Sequence, residues 1–312
     1  MRITSIPDPA GFSRVKLFLA LSRTPHTLLD VATPVLCALL WLGNAPPLEV
    51  MALGLLTAFS GYTAVYALND VIDYRVDQEK IQKIGIDDSG LDLDGVYVRH
   101  PMAQGVLSYR EGIFWMGAWA LLTLVGSYIL SPVCLLIFLA ASLLEILYCL
   151  LLKVTYLRGI ISGIVKNSGG IAAVFAVTSN PSPLFLVVLF LWLFFWEIGG
   201  QNVPNDWADV NEDQKLGAQT IPVRFGPEGS SKMVLFGLLM AVVMSCLMYW
   251  VSPAGVGFFY LVGALFSGFY FLLLPALRLI RTRAGGEAFA LFNRASYYPL
   301  AMLGVVILSL LM

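Results

Sequence analysis

Nine long apolar segments constrain this chain more than any other feature. They run at roughly 27–43, 48–68, 111–130, 133–152, 158–178, 182–203, 232–251, 254–277 and 290–312. Each is at or near the about 20 residues a helix needs to cross about 30 Å of hydrocarbon. Of the 312 residues, 58% are hydrophobic and 12% are charged, against about 45–50% and about 25% in a soluble domain. The mean hydropathy is +0.80. This excludes a disordered chain, a basic nucleic-acid binder and an ordinary soluble enzyme. A net charge of −1 excludes bulk electrostatic attraction as the main mode of partner binding. The apolar runs are continuous rather than alternating, which argues against a β-barrel. The expectation is an all-α membrane protein with nine transmembrane helices and a single domain over residues 1–312.

Four cysteines, Cys37, Cys134, Cys149 and Cys246, sit inside apolar runs with no CxxC spacing. They read as small core residues rather than as a disulfide framework or a metal site. The first 26 residues lack an early apolar core after a basic start, so they do not read as a cleaved signal peptide.

The positive charges orient the bundle. Lys and Arg fall before the first span and in the connections after spans two, four, six and eight, with Arg294 at the start of span nine. The four opposite connections, 43–47, 131–132, 178–183 and 252–254, contain none. Lys166, within span five, is the exception among the 19 basic residues. The positive-inside rule makes the charged side cytoplasmic. The amino terminus and the working face are therefore expected in the cytoplasm and the carboxyl terminus outside, in an inner or plasma membrane.

One polar pattern occurs twice on that side. Asn69-Asp70-Val71-Ile72-Asp73-Tyr74-Arg75-Val76-Asp77 opens one long loop, and Asn205-Asp206-Trp207-Ala208-Asp209-Val210-Asn211-Glu212-Asp213 opens another. Both read NDxxDxxxD, at the ends of spans two and six. An offset of four spans preserves orientation, so spans 2–5 and 6–9 read as a parallel internal repeat with span one added. On a helix, positions i, i+3 and i+7 share a face. Asp70, Asp73 and Asp77 would align there, as would Asp206, Asp209 and Asp213. Carboxylates so placed repel unless a cation lies between them, and such hard oxygen ligands suit Mg²⁺ together with substrate phosphates. Two facing stripes could hold Mg²⁺ ions that clamp a diphosphate. The loops that carry them, 69–110 and 203–231, are the expected active-site loops. A cation transporter using the two acidic clusters is the alternative. It would place acidic residues near the bilayer middle, whereas these lie at the ends of spans.

With these motifs the chain resembles the UbiA superfamily of membrane prenyltransferases. The resemblance covers nearly the whole chain. The second motif runs into Gly217-Ala218-Gln219-Thr220-Ile221-Pro222-Val223-Arg224-Phe225-Gly226, similar to the family's G-x-x-T-L-P-V-x-x-G. Arg99-His100-Pro101-Met102-Ala103-Gln104-Gly105-Val106-Leu107-Ser108 is similar to its R-P-L-A-x-G-x-I-S element, and the segment from Lys16 to Arg23 resembles its basic entry helix. The resemblance implies Mg²⁺-dependent transfer of a prenyl chain from a prenyl diphosphate to a lipophilic, usually aromatic acceptor, with quinone biosynthesis the expected setting. It implies that Asp70, Asp73 and Asp77 with Asn69 form one Mg²⁺–diphosphate site. Asp206, Asp209 and Asp213 form the other, with Asn202 and Asn205 as polar supports. Arg99, Lys153 and Arg224 are the further diphosphate candidates.

Three departures stand out. His100 replaces the family's Arg directly before Pro101, with Arg99 one place earlier. The segment between Asp77 and Arg99 is longer than the family's and carries Asp87, Asp88, Asp92 and Asp94 among Gly85, Gly90 and Gly95. Tyr148 and Lys153 are separated by one residue more than in the family's Tyr-xxx-Lys. Within spans, Glu145, Lys166 and Glu197 are ionisable and therefore costly. Lys166 is expected to pair with Glu145 or Glu197. Alternatively, Lys166 and Glu197 orient the acceptor.

Overall fold

A backbone surrounded by lipid must satisfy its own hydrogen bonds, and the chain does so with helices. The computed structural model describes residues 13–85 and 98–312. The acidic run at Asp87, Asp88, Asp92 and Asp94 lies outside the described residues. A short helix, α1 (Arg14–Leu21), precedes the bundle. Nine helices long and apolar enough to cross a membrane follow among the described residues. They are α2 (Thr24–Leu42), α3 (Leu48–Ile84), α4 (Tyr109–Leu130), α5 (Pro132–Leu150), α6 (Arg158–Val177), α7 (Pro183–Ala208), α9 (Ile221–Val251), α10 (Phe258–Thr282) and α11 (Gly285–Leu311). Between α7 and α9 lies the short α8 (Val210–Leu216). No strand occurs among the described residues. The expected all-α fold and nine spans are as observed, and the chain is a multi-pass integral membrane protein.

The largest departures from the expected spans carry the polar motifs. Span two was expected to end near residue 68, yet α3 continues to Ile84, so the whole first motif is helical. No Gly or Pro interrupts the run from Asn69 to Lys83, and nothing there stops the helix before Gly85, which has φ 91°. The second motif was expected on one helical face. Instead the helix breaks at Asp209 (φ −92°, ψ 9°), between α7 and α8. Asp206 therefore sits at the end of α7, Asp209 at the break and Asp213 on α8.

Within α7, residues Glu197–Asn202 form a π-helical segment. Its cause is local. Pro204 has no N–H to offer the carbonyl of Gly200, and the Gln201 side-chain amide donates to that oxygen instead (3.3 Å). Such wide turns recur at functional sites.

Packing is uneven. The dense core lies among α7, α9, α10 and α11, where Trp192, Trp196, Tyr260 and Tyr298 are fully buried. The polar atoms of these rings are paired. Trp192 Nε1 donates to Tyr298 Oη (3.2 Å), Trp196 Nε1 to the Ala295 carbonyl (2.9 Å) and Tyr260 Oη to the Ser245 carbonyl (2.8 Å). Outward-facing Phe114, Leu136, Leu143, Trp250 and Phe266 are exposed, as lipid-facing side chains are in a bilayer. Small residues bring helices together where burial cannot drive association. Gly126 of α4 takes Thr57 of α3, and Gly199 of α7 sits against the backbone of α9.

A methyl group at Gly199 would lie 2.9 Å from the Leu238 nitrogen and 3.0 Å from the Val234 carbonyl, both backbone, whereas one at Gly304 meets nothing within 4 Å. Gly199→Ala is therefore expected to destabilise the bundle by ~1–3 kcal/mol, read as a lower thermal midpoint in detergent. Gly304→Ala should leave the midpoint unchanged or raise it.

Candidate active site

The two acidic motifs meet at one end of a cavity of about 900 Å³. Asn69, Asp70, Asp73 and Asp77 line it from α3, and Asn202, Asn205, Asp206, Asp209 and Asp213 from α7 and α8. Asp70, Asp77, Asp206 and Asp213 are buried. The extended α3 helps to join the motifs. Lys80, one turn beyond the first motif, reaches across to Asp209 (3.4 Å) and Glu212 (2.5 Å).

Four other basic side chains converge on these carboxylates. Arg23, held at φ 44° between α1 and α2, places Nη2 3.3 Å from Asn69 Oδ1 and 3.5 Å from Asp70. Arg99 Nη2 lies 3.4 Å from Asp209. His100 Nδ1 lies 2.9 Å from Asp77 and 3.5 Å from Asp70, at ion-pair distance but without hydrogen-bond alignment. Arg158, buried at the start of α6, donates to Asp206 Oδ1 (3.0 Å) and lies 4.4 Å above the Tyr148 ring. Asn202 Nδ2 donates to the Tyr148 hydroxyl (3.3 Å), and Thr220 Oγ1 donates to Asp213 (3.0 Å).

These contacts set the charge states outside the spans. Burial pulls the His100 imidazolium down, but Asp77 and Asp70 outweigh it and hold its pKa up at about 9. Burial pushes the Asp213 carboxyl up to about 7. The neighbouring Asp206 adds to this, while the Thr220 hydroxyl and Arg158 work against it.

The donor set suits a hard divalent cation. Asp70 and Asp77 offer carboxylate oxygens within 4.8 Å of one another. Asp70 Oδ1 is buried with no hydrogen-bond partner among the described residues. A cation there would satisfy it and relieve the repulsion among the aspartates.

Two expected diphosphate candidates are not brought to the cavity. Lys153 is exposed and pairs with Glu79 (2.7 Å). Arg224 is exposed on the first turn of α9. Neither lines the cavity. The expected pairing of Lys166 with Glu145 or Glu197 is also corrected. Lys166 Nζ binds Asp30 Oδ2 at 2.6 Å and the Tyr66 hydroxyl at 3.0 Å. Glu145 accepts instead from Asn69 (2.9 Å), and Glu197 from Ser162 (2.8 Å). Lys166 and Glu197 do line the cavity, below the aspartates. Asp30 lies within an apolar span and meets the same criterion that singled out Glu145, so its sequence signal was present. Arg158 read only as a span-flanking charge. That it faces Asp206 follows from the fold, as does the reach of Lys80 and Arg23.

With this geometry in place, the relationships of the chain are informative. Residues 31–298 match the UbiA prenyltransferase family, and the chain belongs to that family, a class of membrane prenyltransferases. Digeranylgeranylglyceryl phosphate synthase of Methanosarcina mazei is 29% identical over 203 residues, 64% of this chain and 68% of that protein. The apo structure of a UbiA homolog from Aeropyrum pernix K1 superposes with a TM-score of 0.69 at 18% identity, covering 91% of this chain and 97% of that one. The structure of a UbiA homolog from Archaeoglobus fulgidus bound to GPP and Mg²⁺ gives a TM-score of 0.65 at 17% identity, covering 93% and 99%. Family membership decides for an enzyme over the transporter alternative.

Arg158→Met leaves the buried Asp206 carboxylate without its cation. The expected cost is about 3–5 kcal/mol, read as a lowered thermal midpoint of metal-free protein. Adding Asp206→Asn to that variant should recover most of the loss, since the pair is then removed together.

Proposed function

We propose that the chain transfers a prenyl group from a prenyl diphosphate to a lipophilic acceptor, with release of diphosphate, and that Mg²⁺ is required. The observation that carries this is the convergence of both acidic motifs with Arg23, Lys80, Arg99, His100 and Arg158 on one mouth of a deep, largely apolar cavity. The Archaeoglobus homolog bound to GPP and Mg²⁺ supports the same ligand pair here. Asp70, Asp73 and Asp77 would hold the metal on one side, and Asp206, Asp209 and Asp213 on the other. Bound there, Mg²⁺ supplies the positive charge that stabilises diphosphate as the leaving group.

The chain's own residues do the rest. Arg99, Arg158 and Lys80 line the cavity beside the aspartates and would take up charge on the diphosphate as the allylic C–O bond breaks. Their present partners, Asp206 and Asp209, would be among the residues that hold the metal. Asn69, Asn202 and Asn205 support the same group. The bonding pair stays with the diphosphate, and the electron-poor carbon faces the Tyr148 ring and the apolar walls. Those walls exclude water, so the acceptor rather than solvent takes the carbon. A new bond forms to the acceptor, which gives up a proton.

For the acceptor, the resemblance points to an aromatic ring of the quinone-precursor type, and the Methanosarcina relative is named for a glyceryl phosphate. Both readings place a lipid-borne molecule in the cavity. The basic connections support a topology with the motif end and the amino terminus in the cytoplasm and the carboxyl terminus outside. Single cysteines added at Lys215 and Met312 of an otherwise cysteine-free chain would test this. An impermeant thiol reagent should label position 312 in intact cells and position 215 only after lysis.

Asp73→Asn and Asp209→Asn are each expected to lower turnover about 10²-fold or more, and EDTA to abolish it. The assay is product formation by purified protein with Mg²⁺, several prenyl diphosphates and a panel of aromatic and glycerol acceptors, read by mass spectrometry. Full activity in EDTA would overturn the reading.

A further inference from the structure

The cavity continues far below the aspartates. On α6 its lining runs from Arg158, which is bonded to Asp206, to Val177 at the other end of the helix. On α3 it runs from Asp77 down to Val50. From Arg158 to Val177, at about 1.5 Å per residue, the cavity is roughly 28 Å long. That is close to the about 30 Å of a bilayer's hydrocarbon core. Gly43 and Pro46, in the connection between α2 and α3, line its far end. Lys166 and Glu197 are the deepest charged residues in its wall, roughly 12–14 Å below the motifs.

Past these two residues the wall changes character. None of the lining residues there is charged. Ala38 of α2, Gly54 and Ala58 of α3, Ile137 of α5, and Ala172 and Ala176 of α6 face this lower part. Most of them are small, so the helices leave a channel between them where larger side chains would close it. A methyl group added at Gly54 would meet nothing within 4 Å. A largely apolar channel without charge selects for the length and thickness of a hydrocarbon rather than for a polar group.

The length of the channel can be compared with a prenyl chain whose diphosphate is held at the mouth. Each isoprene unit adds four carbons to the chain, roughly 5 Å when extended. A geranyl chain of two units then ends about 10 Å down, near Lys166, and leaves the lower channel unfilled. Four units reach about 20 Å and six about 30 Å. Unfilled apolar space forfeits dispersion contacts that a longer chain would make. We propose that the donor is a polyprenyl diphosphate of about four to six isoprene units, with its tail extended down the lower channel. Ala172 and Gly54 then mark successive depths of that tail. Ala172 lies roughly 21 Å below Arg158 along α6, and Gly54 roughly 24 Å below Asp70 along α3. Side chains lean toward the amino-terminal end of a helix. A larger residue at 172 would therefore lean up toward the motifs, into the level of the fourth unit. One at 54 would lean away from them, into the level of the fifth and sixth. This inference rests on the prenyltransferase reading above and deepens it by naming the class of donor.

The test is binding of geranyl, geranylgeranyl and hexaprenyl diphosphate, with Mg²⁺, to the purified full chain in one detergent. The proteins are the wild type, Ala172→Phe, Gly54→Phe and Gly117→Phe. Gly117 also has open space around it but does not line the cavity. For each protein the affinity of the longer donors is expressed relative to geranyl diphosphate. Partition of a donor into micelles is the same for every protein, so it cancels when these ratios are compared. Ala172→Phe should lower both ratios by about tenfold or more. Gly54→Phe should lower the hexaprenyl ratio by about tenfold or more and keep the geranylgeranyl ratio within about twofold of the wild type. Gly117→Phe should shift neither. If Ala172→Phe does not fold and binds no donor, Gly54→Phe decides alone, since its added ring enters open space. Wild-type ratios in an Ala172→Phe protein that binds geranyl diphosphate, or a wild-type hexaprenyl ratio in Gly54→Phe, would give the channel to some other chain and overturn the proposal. Failure of the wild type to bind any of the three donors would defeat the prenyltransferase reading itself, whereas geranyl binding with unaltered ratios defeats this inference alone.

Discussion

Carboxylates set beneath a lipid surface repel one another and lose much of their hydration, and the rest of this structure is organised around that cost. Six aspartates from two motifs face one cavity mouth. Each motif meets cations supplied from elsewhere: Arg23 and His100 at the first, and Lys80, Arg99 and Arg158 at the second. These cations come from the α1–α2 junction, the far end of α3, the segment after residue 97 and the start of α6. Folding of the whole bundle is therefore a condition for assembling the site. The balance still leaves an unbonded oxygen on Asp70, and a site short of positive charge is one that a divalent cation and its anionic ligand can complete together.

The dense half of the molecule serves this arrangement. Trp192, Trp196, Tyr260 and Tyr298 pack without free polar atoms, and they hold α7 where its π-helical turn can present Gln201 and Asn202 to the cavity. Gly199 lets α7 approach α9 along that turn. The opposite half, α3 to α6, is held by small-residue contacts and walls the cavity.

Much of this was legible in the sequence. The nine spans were visible because lipid allows few alternatives to long apolar helices. The duplicated acidic motif was visible because carboxylates at that spacing are rare at a membrane boundary. Less could be read where tertiary contact overrides local pattern. The NDxxDxxxD spacing suggested a continuous helical face for both motifs, which holds on α3 but breaks at Asp209, where α8 turns away. Lys166 was weighed against Glu145 and Glu197 by depth alone. Depth does not show which helix a side chain faces, and the facing helix is α2 with Asp30. Lys153 and Arg224 have the right charge near the right loops, yet both point to solvent. Arg158, by contrast, looked like a topology signal and is the buried partner of Asp206.

The central claim is that the two motifs make one site for one ligand. The most direct test is equilibrium binding of geranyl diphosphate to purified protein with and without Mg²⁺, for the wild type and for a variant altered in each motif alone, Asp70→Asn and Asp206→Asn. The expected result is binding that needs Mg²⁺ and falls by an order of magnitude or more in both variants. Metal-independent binding, or wild-type affinity in either variant, would contradict it.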